Sequence, residues 1–236
     1  MRDQVNGDTR AFRKALAGSS SPLLTRIIER DGDYLFDAYE KIERYWRDEF
    51  NAFHNVFLVL LSEAPRFGEQ QTYFYNQNAG ATAFFNYKDY TEAFGSYGTT
   101  LPAAGGIAVR KRALLDALQA RGVLILDIFP FALNDCTSVS YGKLIPAERT
   151  ELFRATAPHY FRPKMSLALK KATPRTLFAF RYTRVHDACK DLVRSEMTRF
   201  GIESSRVLSE SVSGFRGGIS HDRLHKVYKM ATDNAY

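Results

Sequence analysis

Cysteine is scarce: Cys136 and Cys189 are the only two in 236 residues. Two thiols cannot build a four-thiolate zinc or iron–sulfur site. They provide no disulfide framework, so a reducing compartment is expected. Long hydrophobic runs are missing too, since none reaches the ~18 apolar residues of a membrane span. The first ten residues, MRDQVNGDTR, hold no apolar signal region, and there is no internal repeat or low-complexity tract. A cytoplasmic monomer is expected, with no membrane association, no metal cluster and no cofactor. Acidic residues are the minority, 26 against 33 Lys and Arg, for a net charge of +7 and a pI near 9.4. That balance favours a polyanionic partner, nucleic acid ahead of an anionic membrane surface. With 45% hydrophobic and 25% charged residues, the chain is long enough for one substantial core.

What is present is organised around residues 56–68, VFLVLLSEAPRFG. Six apolar residues in a row read as a strand buried on both faces, as in the middle of a parallel sheet. The run breaks at Ser62-Glu63-Ala64-Pro65, which places Glu63 at the carboxyl end of that strand, where open α/β sheets bind ligands. A second buried strand, residues 123–128, ends in another carboxylate, Asp127, followed by Phe129-Pro130-Phe131.

Around these strands the pattern alternates. Residues 1–20 are polar and read as loosely held. Ser21-Pro22 opens a helix with Pro in its first turn, and a second helix is expected over 34–50 with an aromatic stripe on its buried face. Residues 79–106, rich in Gly and Ala, show no period and suggest either a functional loop or a plain surface excursion. Helices are expected over 107–120, over 147–172 with interruptions near Pro158 and Pro163, and over 186–200. Strands are expected over 176–182 and 206–209, and a Ser/Gly loop then enters a basic amphipathic helix. Such alternation implies right-handed crossovers. The expected fold is a three-layer αβα sandwich with a four-stranded, mostly parallel sheet. Residues 1–50 form an N-terminal helical extension and residues 51–236 the α/β domain.

Taken in order, these motifs resemble the uracil-DNA glycosylase superfamily from residue 56 to about residue 228. SEAP resembles that superfamily's first motif, written GEAPG in some branches, with Glu63 on the catalytic acidic position, Ser62 on the preceding glycine and Pro65 on the proline. Tyr73-Phe74-Tyr75 falls where the family keeps a ring that stacks on the extruded base. LILDIFPF is similar to the strand whose Asn reads the base edge, and Asp127 stands in that position. Ser211-Val212-Ser213-Gly214 resembles the final HPSP or NPSG loop, which enters the minor groove.

The resemblance implies a DNA glycosylase. It assigns catalysis to Glu63 and Asp127 and base binding to Ser62, Ala64, Pro65, Phe74 and Tyr75. DNA contact falls to Ser211, Ser213, Gly214, Phe215, Arg216 and Lys226, with Phe215 as a wedge. The chemistry is coherent in itself, because a base must be flipped into a pocket before its N-glycosidic bond is attacked.

Asp127 departs from the pattern. An Asn offers one donor and one acceptor, whereas an ionised Asp only accepts. It suits the exocyclic amine of cytosine and opposes O4 of uracil. The expected substrate is therefore a cytosine-like or modified cytosine base, as in phage DNA, which would give the enzyme a defence role. The final loop has Ser211 where HPSP has histidine, which weakens electrostatic help for the leaving base.

Other readings remain open. Glu63 can serve as a helix N-terminal cap, and Asp127 as a structural carboxylate bonded to loop N–H groups. The chain can be a uracil glycosylase of base excision repair, a nucleic-acid binder without catalysis, or a small-molecule hydrolase on the same scaffold. His221 and His225 have the spacing of a zinc pair but lack a third ligand in sequence. His186, Asp187 and Cys189 point in different directions on one helical turn and make no nucleophilic dyad.

Overall fold

The structure, a computed structural model, describes residues 2–79, 90, 92–94, 105–214 and 218–233, with side chains from residue 7 onward. Its elements run α1 (Arg2–Ala17), α2 (Pro22–Asn51), β1 (Val56–Ser62), α3 (Ile107–Ala120), β2 (Val123–Asp127), α4 (Pro146–Thr156), α5 (Phe161–Leu169), β3 (Ala172–Phe180), α6 (Thr183–Arg199), β4 (Val207–Ser211) and α7 (His221–Asp233). The four strands form one sheet in the order β2-β1-β3-β4, every neighbouring pair parallel. Helices flank it, giving the three-layer α/β architecture with helices at its N-terminal side. The sheet is wholly parallel where a mostly parallel one was expected.

β1 is buried because it is central: it pairs with β2 on one side and β3 on the other. The connection from β1 to β2 runs one way along the sheet and that from β3 to β4 runs the other. Right-handed crossovers in opposite directions put α3 and α6 on opposite faces. Strand order therefore reverses between β1 and β3, and a crevice opens at their carboxyl ends.

The N-terminal region corrects two expectations. Residues 2–17, expected to be loosely held, form α1, whose Phe12 and Leu16 are buried, Phe12 stacking on Tyr39 at 4.5 Å. The two helices expected between residues 21 and 50 are one, α2, thirty residues long. The Ser21 side chain caps it by accepting from Leu24 N at 3.1 Å, with Pro22 at its first position. Gly32 sits at the expected break, but a single Gly costs only about 1 kcal/mol in a helix, and packing at both ends overrides it. The first half of α2 packs with α1 and with Phe129, Phe131 and Tyr141 after β2. The second half sends Ile42, Trp46 and Phe50 into the core around the sheet.

The interruption between α4 and α5 falls around Pro158, as expected. Pro163 lies in the first turn of α5 instead, where its missing N–H breaks no helical bond. No helix among the described residues is long and apolar enough to cross a membrane. The expected 79–106 loop lies largely outside the described residues, as do Phe215 and Arg216.

Candidate active site

Three strands deliver charged side chains to one level. Ser62 and Asp127 are register partners at the ends of β1 and β2, and Glu63 is the next residue after β1. Arg181 follows β3 and its N–H donates to the Leu61 carbonyl at 2.8 Å. Beyond β2, the N–H groups of Ile128 and Phe129 donate to the carbonyls of Ser62 and Glu63, each at 3.1 Å. The two acidic strand ends are thus laced together.

A small hollow, about 40 Å³, opens here, lined by Ser62, Glu63, Ala64, Pro65, Arg66, Thr72, Tyr73, Phe74, Tyr75, Ile125, Asp127, Arg181, Tyr182 and Arg184. Glu63 and Asp127 therefore share one cavity, together with Ser62, Ala64, Pro65, Phe74 and Tyr75 from the base-binding group. A neighbouring hollow of about 150 Å³ shares Glu63, Arg66 and Arg184 and is also lined by Asn134, Ser140 and Tyr141.

Glu63 is 4% exposed. Its Oε2 is ion-paired with Arg184 and its Oε1 lies 3.9 Å from Arg149 Nε. Burial pushes its carboxyl above the usual range, against the pull of Arg184, Arg149 and Arg66. Asp127 is also buried. Desolvation raises it to about 6, opposed by Lys164, Arg181 and hydrogen bonds from the Ser62 and Tyr73 hydroxyls. Two carboxylates perturbed by burial in a cleft mark a candidate functional site.

The aromatic cluster divides its work. Tyr75 is buried and its hydroxyl both accepts from Ile125 N at 2.8 Å and donates to Ile125 O at 3.1 Å. It thereby closes the outer edge of β2, with help from Trp46 Nε1 at 3.3 Å from the same carbonyl. Tyr73 turns its hydroxyl to Asp127. Phe74 lines the hollow half-buried, with the Arg181 guanidinium 5.4 Å from its ring centroid. In the turn after Glu63, the Gly68 N–H is already taken by the Tyr34 hydroxyl at 3.1 Å.

Of the proposed DNA-contact residues, the described ones, Ser211, Ser213, Gly214 and Lys226, do not line the hollow. Ser211 is a buried end of β4, its hydroxyl 2.8 Å from that of Thr183, beside the lining residues Tyr182 and Arg184. Ser213 pairs with Ile219, and Gly214 donates to Gly218 O at 2.8 Å. A side chain at Gly214 would meet the Ile219 and Ser220 backbone at 2.9 Å, so the tight turn demands glycine. Lys226 is exposed on α7 and borders a separate groove with Arg223 and Met230.

Sequence reasoning missed the arginines. Arg181 follows β3 just as Glu63 follows β1, so the rule that singled out the acids would have found it. Arg149 and Arg184 sit on helices and carry no such signal. His221 faces Glu92 and Asp222, and the described residues contain no cluster of three or more potential metal ligands. Burial pushes the Cys189 thiol up to about 12, too high for a nucleophile at neutral pH. Compared with known proteins, the chain matches no family model, no curated relative and no solved structure.

Proposed function

We propose that this protein hydrolyses the N-glycosidic bond of a base flipped out of DNA, with a cytosine-like or modified cytosine base preferred over uracil. The observation that carries this reading is the shared hollow of Glu63 and Asp127 at the point where the strand order reverses. In the proposed reaction the bond between the base nitrogen and C1′ breaks and its electron pair leaves with the base. Positive charge then develops on the sugar, and a water adds its oxygen to C1′. Glu63, held by Arg184 and Arg149, stabilises that positive charge and takes the proton of the water. Asp127 has two acceptors left after Ser62 and Tyr73 have donated, and receives the exocyclic amine of the base. Phe74 supplies a stacking face, worth about 1–3 kcal/mol per base. The order of SEAP, the Tyr73-Phe74-Tyr75 cluster, LILDIFPF and the Ser211–Gly214 loop, which resembles the uracil-DNA glycosylase superfamily, supports the same reading.

One observation favours a second reading, a DNA-binding protein on this fold without catalysis. Glu63 is already engaged by two guanidinium groups, as in a structural ion cluster. Duplexes carrying uracil, cytosine or 5-substituted cytosines, incubated with the protein and treated to cleave abasic sites, separate the two. Strand cleavage greatest on a cytosine-type duplex is expected. Binding without abasic sites on any duplex overturns the enzymatic reading, and preferential uracil release overturns the base preference.

A further inference from the structure

The two hollows at the strand ends share a wall. Residues 63–66 and Arg184 line both of them. The first adds Asp127 and the Phe74 ring, groups suited to the edge and the face of a base. The second is the roomier, about 150 Å³, and adds Asn134, Asp135, Ser140 and the Tyr141–Gly142 step. One water requires about 10–15 Å³, so a much larger group fits.

The walls of the second hollow are fixed from α2. The Tyr34 hydroxyl accepts from Gly68 N at 3.1 Å and from Asn134 Nδ2 at 2.9 Å, which ties the turn after Glu63 to the loop after β2. Asp31, one turn earlier, accepts from the Ser138 N–H at 2.9 Å and from its hydroxyl at 2.5 Å. Tyr141 N donates to Leu133 O at 3.2 Å and closes the loop on itself. A wall held this way keeps its shape before any ligand arrives.

Its charge leans positive. Arg66 is exposed, and the Arg184 side chain is half-exposed. Arg184 meets Glu63 through one terminal nitrogen, and a guanidinium carries five N–H donors, so it can bridge to an anion as well. Counting Arg149, 3.9 Å from Glu63 Oε1, three guanidinium groups stand against two carboxylates, Glu63 and the exposed Asp135.

We propose that the second hollow is the subsite for the phosphate-bearing deoxyribose of the flipped nucleotide, with Arg66 and Arg184 receiving the phosphate. This rests on the base-excision reading of the first hollow. With the base in one hollow and the sugar in the other, the bond that joins them crosses the shared wall at Glu63. Glu63 Oε1 is buried and has no hydrogen-bond partner among the described residues, so it keeps an acceptor for the attacking water. A free nucleoside monophosphate offers the same sugar and phosphate, and the test separates the two sources.

The full chain is titrated by fluorescence anisotropy with a duplex carrying a tetrahydrofuran residue, a stable abasic-site analogue. The same duplex is then used with a neutral methylphosphonate on the 5′ or the 3′ side of that residue. One of the neutral linkages is expected to weaken binding to the parent about tenfold or more, and to have little further effect in Arg66→Gln. Asp135→Asn should tighten the charged duplex about two- to fivefold. Displacement by dCMP but not by deoxycytidine supports the subsite with free nucleotides as a source. Displacement by neither, with the methylphosphonate loss present, supports it with DNA as the source. Equal losses in the parent and in folded Arg66→Gln, or no loss from either neutral linkage, overturn the proposal. Binding to an abasic analogue needs no catalysis, so a parent that releases no base sinks the excision reading while these affinities still decide the subsite.

Discussion

Replacing Asp127 by Asn should stabilise the protein at high pH and leave it nearly unchanged at low pH. Burial, the largest influence on Asp127, raises its carboxyl from 3.8 in the unfolded chain to about 6 in the folded one. A group that holds its proton more tightly when folded favours the fold at low pH, and that advantage is lost as pH rises through about 6. At about 1.4 kcal/mol per pH unit, the ionised form costs the fold about 3 kcal/mol by pH 8. Asn carries no charge and escapes this cost. Its oxygen still accepts from one of the Ser62 and Tyr73 hydroxyls while its amide donates to the other, so little bonding is lost. Urea unfolding of the two proteins at pH 4 and pH 8 measures the difference. An advantage for Asn that grows with pH, up to about 3 kcal/mol, is expected. A difference independent of pH, or a loss at pH 8, would refute the reasoning. The same substitution restores a donor and an acceptor at the base edge, so uracil release should increase alongside.

Glu63→Gln should lower excision by about 10²–10⁴-fold, the usual contribution of a positioned acid or base, while DNA affinity in a filter or anisotropy assay holds or tightens as a negative charge leaves a basic site. Loss of binding in parallel with activity would argue for a purely structural Glu63. Tyr75→Phe strands the Ile125 N–H at the edge of β2, whereas the carbonyl keeps Trp46; the cost expected in urea unfolding is about 1–3 kcal/mol. Gly122→Ala should cost about 2–4 kcal/mol, because φ is +62° and the new Cβ would meet Asn55 O and the Phe57 ring at 2.7 Å. A melting temperature within a degree of the parent would contradict that geometry.

The parallel sheet was legible in the sequence because burial on both faces writes itself as an unbroken apolar run, as in 56–61 and 123–126. Strand ends were legible for the same reason: Glu63 and Asp127 stand where those runs stop. Helix continuity was not. Nothing local tells whether Gly32 and the charged residues beside it end a helix or ride on its wet side. Packing of Leu35 and Phe36 against Phe12 and Phe131, far away in the chain, decides it. α1 was missed because its apolar positions are few, and Phe12 and Leu16 acquire meaning only beside Tyr39 and Tyr160. The cationic half of the site was hidden likewise. Arg149 and Lys164 sit in helices that read as ordinary charged surface, and only the tertiary structure turns them inward towards the carboxylates.

That inward turn resolves a conflict in the sequence reading. Two carboxylates at the mouth of a pocket would repel a polyanion, which sets the acids against the DNA substrate of the proposed function. Glu63 and Asp127, however, are surrounded by Arg66, Arg149, Arg181 and Arg184, four arginines from three parts of the chain. Lys164 is nearly neutralised by Glu43, so the site as a whole carries positive charge. In the proposed function, phosphates would meet attraction at the rim, while the cations beside each carboxylate oppose the rise that burial imposes on it. Burying so many charges lowers stability, as the raised carboxyls show, and a fold needing only a core would have filled the hollow with apolar side chains. The arrangement makes physical sense where negative charge must be presented to a cationic sugar inside a pocket that still attracts a polyanion.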